Sequence, residues 1–477
     1  MVHEVQSAVA YRRERAAHWD QVAQLRWRGL GGYYQRRLAH VYRLLVPPSQ
    51  KVLDLGCGKG ELLAALSPRL GIGVDLSPAA VAKARGLFGH LRFIQADAHD
   101  LPLQEKFDFI ILSDLINDVW DVQAVLEQCQ KLCAPRTRLV LNFYSRVWEW
   151  PLKMAEKLGL ARPTLPQNWL TVPDVRNLLD LAGFQVLRSW QEMLCPLPLP
   201  PFSGLCNRVL VRFPPFRWLA MTNFVVARPH PRPVALPRTP RVSVVVPARN
   251  EAGNVEAIFE RTPEMGGGTE LIFVEGHSHD GTAEAVESAI RRYPQRQAKL
   301  LRQTGTGKGD AVRLGFSQPS GHVLMILDAD LTVAPEDLPR FYEALISGKG
   351  EFINGVRLVY PTERKAMRLI NLGANKFFSW AFSWLIGQTV KDTLCGTKVL
   401  YKDDYELLAA NRAYFGHLDP FGDFDLLFGA AKLNLKIVDM PIRYRQRTYG
   451  TTNIRRWRHG LLLLRMLPVA ARRLKFV

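Results

Sequence analysis

The chain has 477 residues, too many for one ordinary core, and its 47% hydrophobic and 22% charged content is that of a folded globular protein. A formal charge of +19 calls for an anionic partner or surface, and nucleic acid, phospholipid headgroups and phosphorylated substrates all satisfy it. Six scattered cysteines, of which only Cys129 and Cys133 are close, argue against a disulfide scaffold or zinc module and read as buried or free thiols in a reducing compartment.

The opening stretch MVHEVQSAVAYRRERAAHWD lacks the apolar core of a signal peptide, and no apolar run reaches the roughly 18 residues that span a bilayer. Residues 51–66, KVLDLGCGKGELLAAL, read as a buried strand, a glycine-rich turn and a helix. Gly56, Gly58 and Gly60 let the backbone approach a ligand, and the helix start offers unpaired N–H groups; alone, such a triplet also suits a dinucleotide. A second strand, GIGVD, ends at Asp75, a third, RFIQAD, at Asp97, and a fourth, FDFIILSDLIND, follows at the βαβ interval. Asp54 stands where a dinucleotide-binding strand more often carries an apolar residue.

This order resembles class I S-adenosylmethionine-dependent methyltransferases over about residues 35–228. The resemblance implies that Asp54 orients the methionine ammonium group through water and that Gly56, Gly58 and Gly60 line the cofactor. It also implies that Asp75 accepts the ribose hydroxyls and Asp97 the adenine amino group. Asp114, Asn117 and Asp118 fall where such enzymes face substrate, with turn or capping duty as the equal alternative. His99 reads as a loop residue rather than a base. The segment LPLPPFSGLCNRVLVRFPPFRWLAMTNFVVARP, 197–229, is expected to supply the last strands, with its aromatics in the core.

Prolines at 229, 231, 233, 237 and 240 mark a linker over 229–240, which separates a domain of residues 1–228 from one of 241–477. Beyond it, 241–262 and 270–290 each read as strand, polar loop and helix; GTGKGDAVRLGF then precedes HVLMILDADLTVAPEDL. A strand ending in Asp328 and Asp330 presents two hard oxygen ligands for Mg²⁺ or Mn²⁺. This succession resembles the GT-A fold of family-2 glycosyltransferases from about residue 241 to 450.

That resemblance implies a nucleotide-diphosphate sugar donor held by Pro247, Ala248, Asn250 and Glu251 in a first loop, Glu275 and Asp280 in a second, and Lys308 and Asp328 against the phosphates. Gly276 replaces an acid that the family often carries in the second loop. Asp392 and Lys398 flank an acceptor-side turn at Gly396. Asp423 and Asp425 stand at a helix start where the family places its catalytic base; an i, i+2 pair points two ways, so one faces the sugar and Asp423 competes as an N-cap. Arg443, Arg445 and Arg447, with Tyr449, Gly450 and Asn453, form a basic loop placed to close over the pyrophosphate.

Within the family, the pattern is nearest to synthases that glycosylate dolichyl or polyprenyl phosphate. Arg357, Arg364 and Arg368 would meet the acceptor phosphate, the last two being one helical turn apart. Residues 375–390, NKFFSWAFSWLIGQTV, read as an interfacial helix, with a core helix as the alternative. The basic, apolar tail 457–477 suits an anionic leaflet, although such synthases often carry C-terminal membrane helices that this chain lacks.

The expectation is two Rossmann-like α/β domains: a class I methyltransferase fold followed by a GT-A fold. They would form a bifunctional enzyme, cytoplasmic and peripheral at the inner membrane face. Its partners would be a nucleotide sugar, a polyprenyl-phosphate or glycolipid acceptor and an anionic membrane. Nucleic acid is not among them, for no reading helix, zinc module or ribonucleoprotein motif occurs. The alternative is a glycosyltransferase with a cofactor-binding regulatory or scaffold domain.

Overall fold

Apolar runs bounded by glycine or polar residues form the strands. The computed structural model describes residues 2–25, 29–158, 164–231, 239–357, 369–411, 423–445, 447, 449 and 464–475. The chain divides into two compact units between His230 and Pro231.

The first unit is built on strands β1 Lys51–Leu55, β2 Leu70–Asp75, β3 Arg92–Gln95, β4 Phe107–Ser113, β5 Cys133–Tyr144, β6 Phe184–Glu192 and β7 Thr222–Pro229. They lie in the order β3-β2-β1-β4-β5-β7-β6; β7 runs antiparallel to both its neighbours, and the other pairings are parallel. Alternate residues feed two cores, one on each face of the sheet. Leu53, Ile72 and Ile110 pack with helices Val122–Lys131 and Val172–Leu181, whereas Val52, Phe109 and Ile111 pack with helices Gly29–Leu45 and Pro78–Leu87. Strand order reverses between β1 and β4, which opens a crevice at the carboxyl ends of these strands.

The stretch 197–229 departs from expectation. Only Thr222–Pro229 is strand, preceded by helix Phe202–Arg208 and short 3₁₀ turns. The aromatics Phe202, Phe213, Phe216 and Trp218 are exposed, not core. The inner positions belong to polar side chains: the Asn207 amide donates to Cys195 O at 2.7 Å and accepts from Cys195 N at 2.8 Å, and Arg212 pairs with Glu192 at 2.6 Å.

The second unit repeats the plan with β8 Val242–Ala248, β9 Thr269–Glu275, β10 Gln297–Arg302, β11 Val323–Ile326, β12 Phe352–Val356, β13 Lys398–Tyr401 and β14 Ile437–Pro441. Their order is β10-β9-β8-β11-β13-β12-β14, with β13 antiparallel to its neighbours and the reversal between β8 and β11. Helix Leu369–Ile386 buries Phe378, Phe382, Leu385 and Ile386 in the core, as the core-helix alternative for 375–390 has it, while Phe377 and Trp380 are 49% and 68% exposed. Among the described residues no helix is long and apolar enough to cross a membrane. All six cysteines are free thiols.

Gly60 caps helix Glu61–Ala65 at φ 77°, and a Cβ there would sit 2.6 Å from the Phe93 ring. Gly60→Ala should therefore cost the first unit about 2 kcal/mol, from the left-handed backbone and the overlap together. A lowered thermal midpoint of that unit's transition, with the second unit's unchanged, is the expected readout.

Candidate active sites

At the carboxyl end of β1 the chain turns through Gly56, Gly58 and Gly60, with φ of 73°, 52° and 77°. A Cβ at Gly58 would meet nothing within 4 Å, whereas at Gly56 and Gly60 it would meet Leu115 and Phe93, so the turn is open at Gly58. Beneath it Asp54 is 1% exposed, and neither carboxylate oxygen has a hydrogen-bond partner. Burial, reinforced by the Asp75 charge, pushes its carboxyl up to about 8. Asp75 accepts from Gly58 N at 2.8 Å and Ser77 N at 2.9 Å, which ties the glycine turn to the end of β2.

Asp97 faces His99 Nδ1 at 2.6 Å and the Arg12 guanidinium at 2.9 Å. Because His99 Nε2 accepts the Asp121 N–H at 3.1 Å, the ring proton sits on Nδ1 and donates to Asp97. His99 is thus a loop brace, the role its sequence context favours.

Two layers of this crevice carry no sequence motif. Helix Val2–Gln24 contacts the loops after β2, β3 and β4: Asp20 accepts from Ser77 Oγ at 2.5 Å, Arg12 reaches Asp97, and Arg15 pairs with Asp118 at 3.0 Å. The second layer surrounds Asp114, at φ 54° beyond β4. Tyr34 Oη donates to it at 2.9 Å and Asn142 Nδ2 at 2.5 Å, and the Tyr34 hydroxyl lies 3.3 Å from Thr222 Oγ1. Burial outweighs these donors and pushes Asp114 up to about 7. Asn117, by contrast, is a staple: it accepts from Tyr144 N at 3.0 Å and donates to Asn168 O at 2.8 Å.

In the second unit the loops after β8, β9 and β11 meet. Pro247 and Ala248 close β8, and the Ala248 carbonyl accepts from Gly276 N at 2.9 Å. Asn250 N donates to Ser278 Oγ at 3.0 Å, and its side chain accepts from His279 N at 2.9 Å. Glu275 accepts from Ser278 N at 2.5 Å, while Asp280 accepts from Ala252 N at 3.1 Å and Tyr449 Oη at 3.2 Å. Gly276 has a local cause: a Cβ there would lie 2.9 Å from Gln303 Oε1, and Gln303 Nε2 is bonded to Gly307 O at 2.8 Å and Asp310 at 2.9 Å. Gln303, unmarked in sequence, fills the space beside the missing acid.

Cations of the chain face the carboxylates past β11. Lys308 Nζ is 2.5 Å from Asp328, and a Cβ on Gly396 would collide with that pair. Burial alone would raise the Asp328 carboxyl, but Lys308, with Arg357 and Lys398 behind it, holds it below the ordinary range. Arg447 lies 2.6 Å from Asp330 and 3.3 Å from Glu251, whose carboxyl burial pushes up to about 7. Arg445 N donates to Thr332 O at 2.9 Å, so the described part of the basic loop crosses the end of β11.

Arg357 does not face the cleft as a free cation. Its Nε and Nη2 donate to fully buried Asp392 at 2.7 and 2.9 Å, and its guanidinium lies 5.2 Å from the Tyr444 ring. Asp425 is half-buried in the first turn of helix Asp423–Lys432. Arg364, Arg368, Gly450, Asn453 and the Asp423 side chain lie outside the described residues. Among the described residues no group of three or more His, Cys, Asp or Glu is gathered as a metal site.

Residues 30–189 match the methyltransferase domain family, and residues 243–404 match glycosyl transferase family 2. The chain joins a methyltransferase domain to a family-2 glycosyltransferase domain. The glycosyltransferase domain is similar to a dolichol-phosphate mannosyltransferase of Pyrococcus furiosus, 29% identical over 45% of this chain and 59% of that one. It also resembles the Saccharomyces cerevisiae enzyme of the same name, 37% identical over 22% of this chain and 40% of that one. An undecaprenyl-phosphate 4-deoxy-4-formamido-L-arabinose transferase of Edwardsiella ictaluri is 33% identical over 27% of this chain and 42% of its own. The chain thus spans between 40% and 59% of these relatives' lengths. Solved structures similar to the methyltransferase domain include a Haloferax volcanii methyltransferase in complex with its Trm112 activator (TM-score 0.35, 20% identity, 44% of this chain and 97% of that one). Another is an S-adenosylmethionine-dependent methyltransferase of Mesorhizobium loti (TM-score 0.32, 21% identity, 40% and 96%).

Asp54 binds its proton more tightly folded than unfolded, so between its ordinary value of 3.8 and about 8 the folded methyltransferase domain holds the extra proton. Stability of the ligand-free domain should therefore fall as pH rises through that window. Asp54→Asn should flatten that slope and raise the midpoint at the alkaline end, while weakening S-adenosylmethionine binding measured by calorimetry. In the glycosyltransferase domain, Arg357→Ala should cost about 3 kcal/mol in urea unfolding, because it strands a buried carboxylate. A pure acceptor ligand would instead raise KM and leave stability unchanged.

Proposed function

We propose that the protein is a bifunctional enzyme. Residues 241–477 would transfer a sugar from a nucleotide diphosphate to a polyprenyl-phosphate or related glycolipid acceptor, and residues 1–228 would transfer a methyl group from S-adenosylmethionine, with 229–240 as linker. The observation that carries the glycosyl-transfer reading is two ion-paired groups at the β8/β11 switch point: Lys308 lies 2.5 Å from Asp328, and Arg447 lies 2.6 Å from Asp330 and 3.3 Å from Glu251. A nucleoside diphosphate entering there offers oxygens for both cations and leaves the two aspartates for a divalent ion. Asp328 and Asp330 fit Mg²⁺ or Mn²⁺, since such ions take one or two carboxylates and complete their shell with phosphate and water. Bound there, the ion would offset charge on the departing diphosphate.

The acceptor oxygen attacks the anomeric carbon as the bond to the diphosphate breaks, a single displacement with inversion. A lipid phosphate is already ionised and needs no base, so Asp423 or Asp425 would then orient groups; a hydroxyl acceptor would require one of them to take its proton. Pro247, Ala248, Asn250, Glu251, Glu275 and Asp280 would hold the nucleoside. Arg364 and Arg368 would take the acceptor phosphate, and Arg357 would act as a positioning residue through Asp392. The names of the relatives support a polyprenyl-phosphate acceptor, and the cationic total supports peripheral attachment at an anionic inner membrane face.

For methyl transfer, the unpartnered Asp54 beneath the glycine turn suits the cofactor's ammonium group, and the open space at Gly58 leaves room for its body. Asp75 retains lone pairs for ribose hydroxyls, and Asp97 lies at the adenine end. The bound cofactor brings an activated methyl group, so the domain's task is in-line positioning.

A panel of nucleotide sugars offered with polyprenyl phosphate should give labelled product in the organic phase for one donor. Asp328→Asn should lower that transfer by more than about 100-fold while leaving S-adenosylmethionine binding intact. Full transfer by this variant after chelation would overturn the metal assignment. Tight cofactor binding with no methylated product in matching glycolipid extracts would instead favour a regulatory first domain.

A further inference from the structure

The methyltransferase domain turns apolar side chains outward on two neighbouring segments. Helix Glu149–Lys157 and its C-terminal flank leave Trp150, Met154 and Leu158 75%, 54% and 66% exposed, at a spacing of four that puts them on one side. Trp148 and Leu152 meanwhile pack against the core. Helix Phe202–Arg208 inverts the usual pattern: Ser203, Cys206 and Asn207 are buried, while Phe202 and Leu205 are 56% and 51% exposed. Farther on, Arg212 is buried and Trp218 is exposed.

Loose packing does not explain this inversion. Polar bonds from Asn207 to Cys195 and from Arg212 to Glu192 occupy the inner side, so the apolar residues have no inward place without breaking them. Trp148 Nε1 donates to Leu219 O at 2.8 Å and joins the two segments into one surface. A soluble monomer rarely leaves so many large apolar side chains together in water.

Charge says what covers them. From Met193 to Pro229 there is no Asp or Glu; Arg208 is exposed and Arg217 half-buried, while Arg212 and Arg228 are buried against Glu192 and Gln185. On the other segment, Arg146, Lys153 and Lys157 are exposed beside the apolar stripe, while Glu149 and Glu156 are half-buried and bonded to Lys153 and Thr164. Tryptophan, phenylalanine and leucine among exposed cations, with the acids half-buried and already bonded, match the headgroup layer of an anionic bilayer; a protein partner would more often be met by exposed charges of both signs. The surface also has a functional position. One segment leaves β5 just after Tyr144 and the other enters β7 at Thr222. Both residues flank Tyr34, whose ring stacks on Tyr144 at 5.9 Å and whose hydroxyl holds Asp114.

We propose that residues 146–158 and 197–219 seat the methyltransferase domain on an anionic bilayer, with its crevice beside the lipid. This docking does not depend on either transferase reading and is separate from any attachment through the glycosyltransferase domain.

The test uses the full chain with Cys133→Ala and an environment-sensitive fluorophore on Met154→Cys. Matched proteins carry the label at Gln104→Cys, in the exposed loop that enters the amino end of β4, or at Trp380→Cys in the other domain. With phosphatidylcholine vesicles containing about one third phosphatidylglycerol, the label at 154 should shift to the blue and be quenched by brominated lipid. The label at 104 should not respond. High salt or pure phosphatidylcholine should weaken the response, and Trp150→Glu with Trp218→Glu should lower vesicle affinity at 154 about tenfold with an unchanged circular dichroism spectrum. A label at 154 that stays in water while the chain sediments through position 380, or with no sedimentation at all, overturns the proposal. So does a label at 154 that becomes buried without lipid as protein concentration rises, which would assign the face to a second copy of the chain.

Discussion

Parallel strands buried on both faces can be joined only by crossovers, and where successive crossovers go to opposite faces a crevice opens at the carboxyl edge. Each unit has one such point, between β1 and β4 in the first and between β8 and β11 in the second. The polar residues that matter gather there because the central strands β1, β4, β8 and β11 are packed from both sides along nearly all their length. Asp54, Asp75 and Asp97 end or follow the strands of one sheet; Glu251, Asp280 and Asp328 follow those of the other.

The two crevices handle charge in opposite ways. In the first, Asp54 is buried with no partner, so the site is short of a cation. In the second, Lys308 and Arg447 already face Asp328 and Asp330, so the site balances itself. Anything anionic that enters the second crevice must exchange partners with these pairs, whereas a cationic group entering the first has nothing to displace except a proton. Arg357 and Asp392 sit behind the second site as a buried pair and fix β12 against the turn at Gly396 instead of meeting solvent.

What was legible in the sequence was local. Glycines at 56, 58 and 60 and the acids at strand ends announce themselves within a few residues, since turn geometry and strand length are written there. Contacts made across the fold left no such trace: Tyr34 reaches Asp114 over a separation of 80 residues, and Arg357 reaches Asp392 over 35. Gly276 reads as a loss until Gln303 is seen beside it. Residues 197–219 misled because aromatic residues normally mark a core; here the polar Asn207 and Arg212 take the inside.

The unpaired Asp54 has one more consequence. At neutral pH the Asp54 carboxyl, pushed up to about 8, keeps its proton, so a ligand ammonium settling beside it would have to release that proton. Binding of such a ligand would therefore be a proton-for-cation exchange, with affinity climbing with alkalinity until the carboxyl is already bare. The burial that raises Asp54 would thereby make the proposed cofactor site sensitive to the acidity around it.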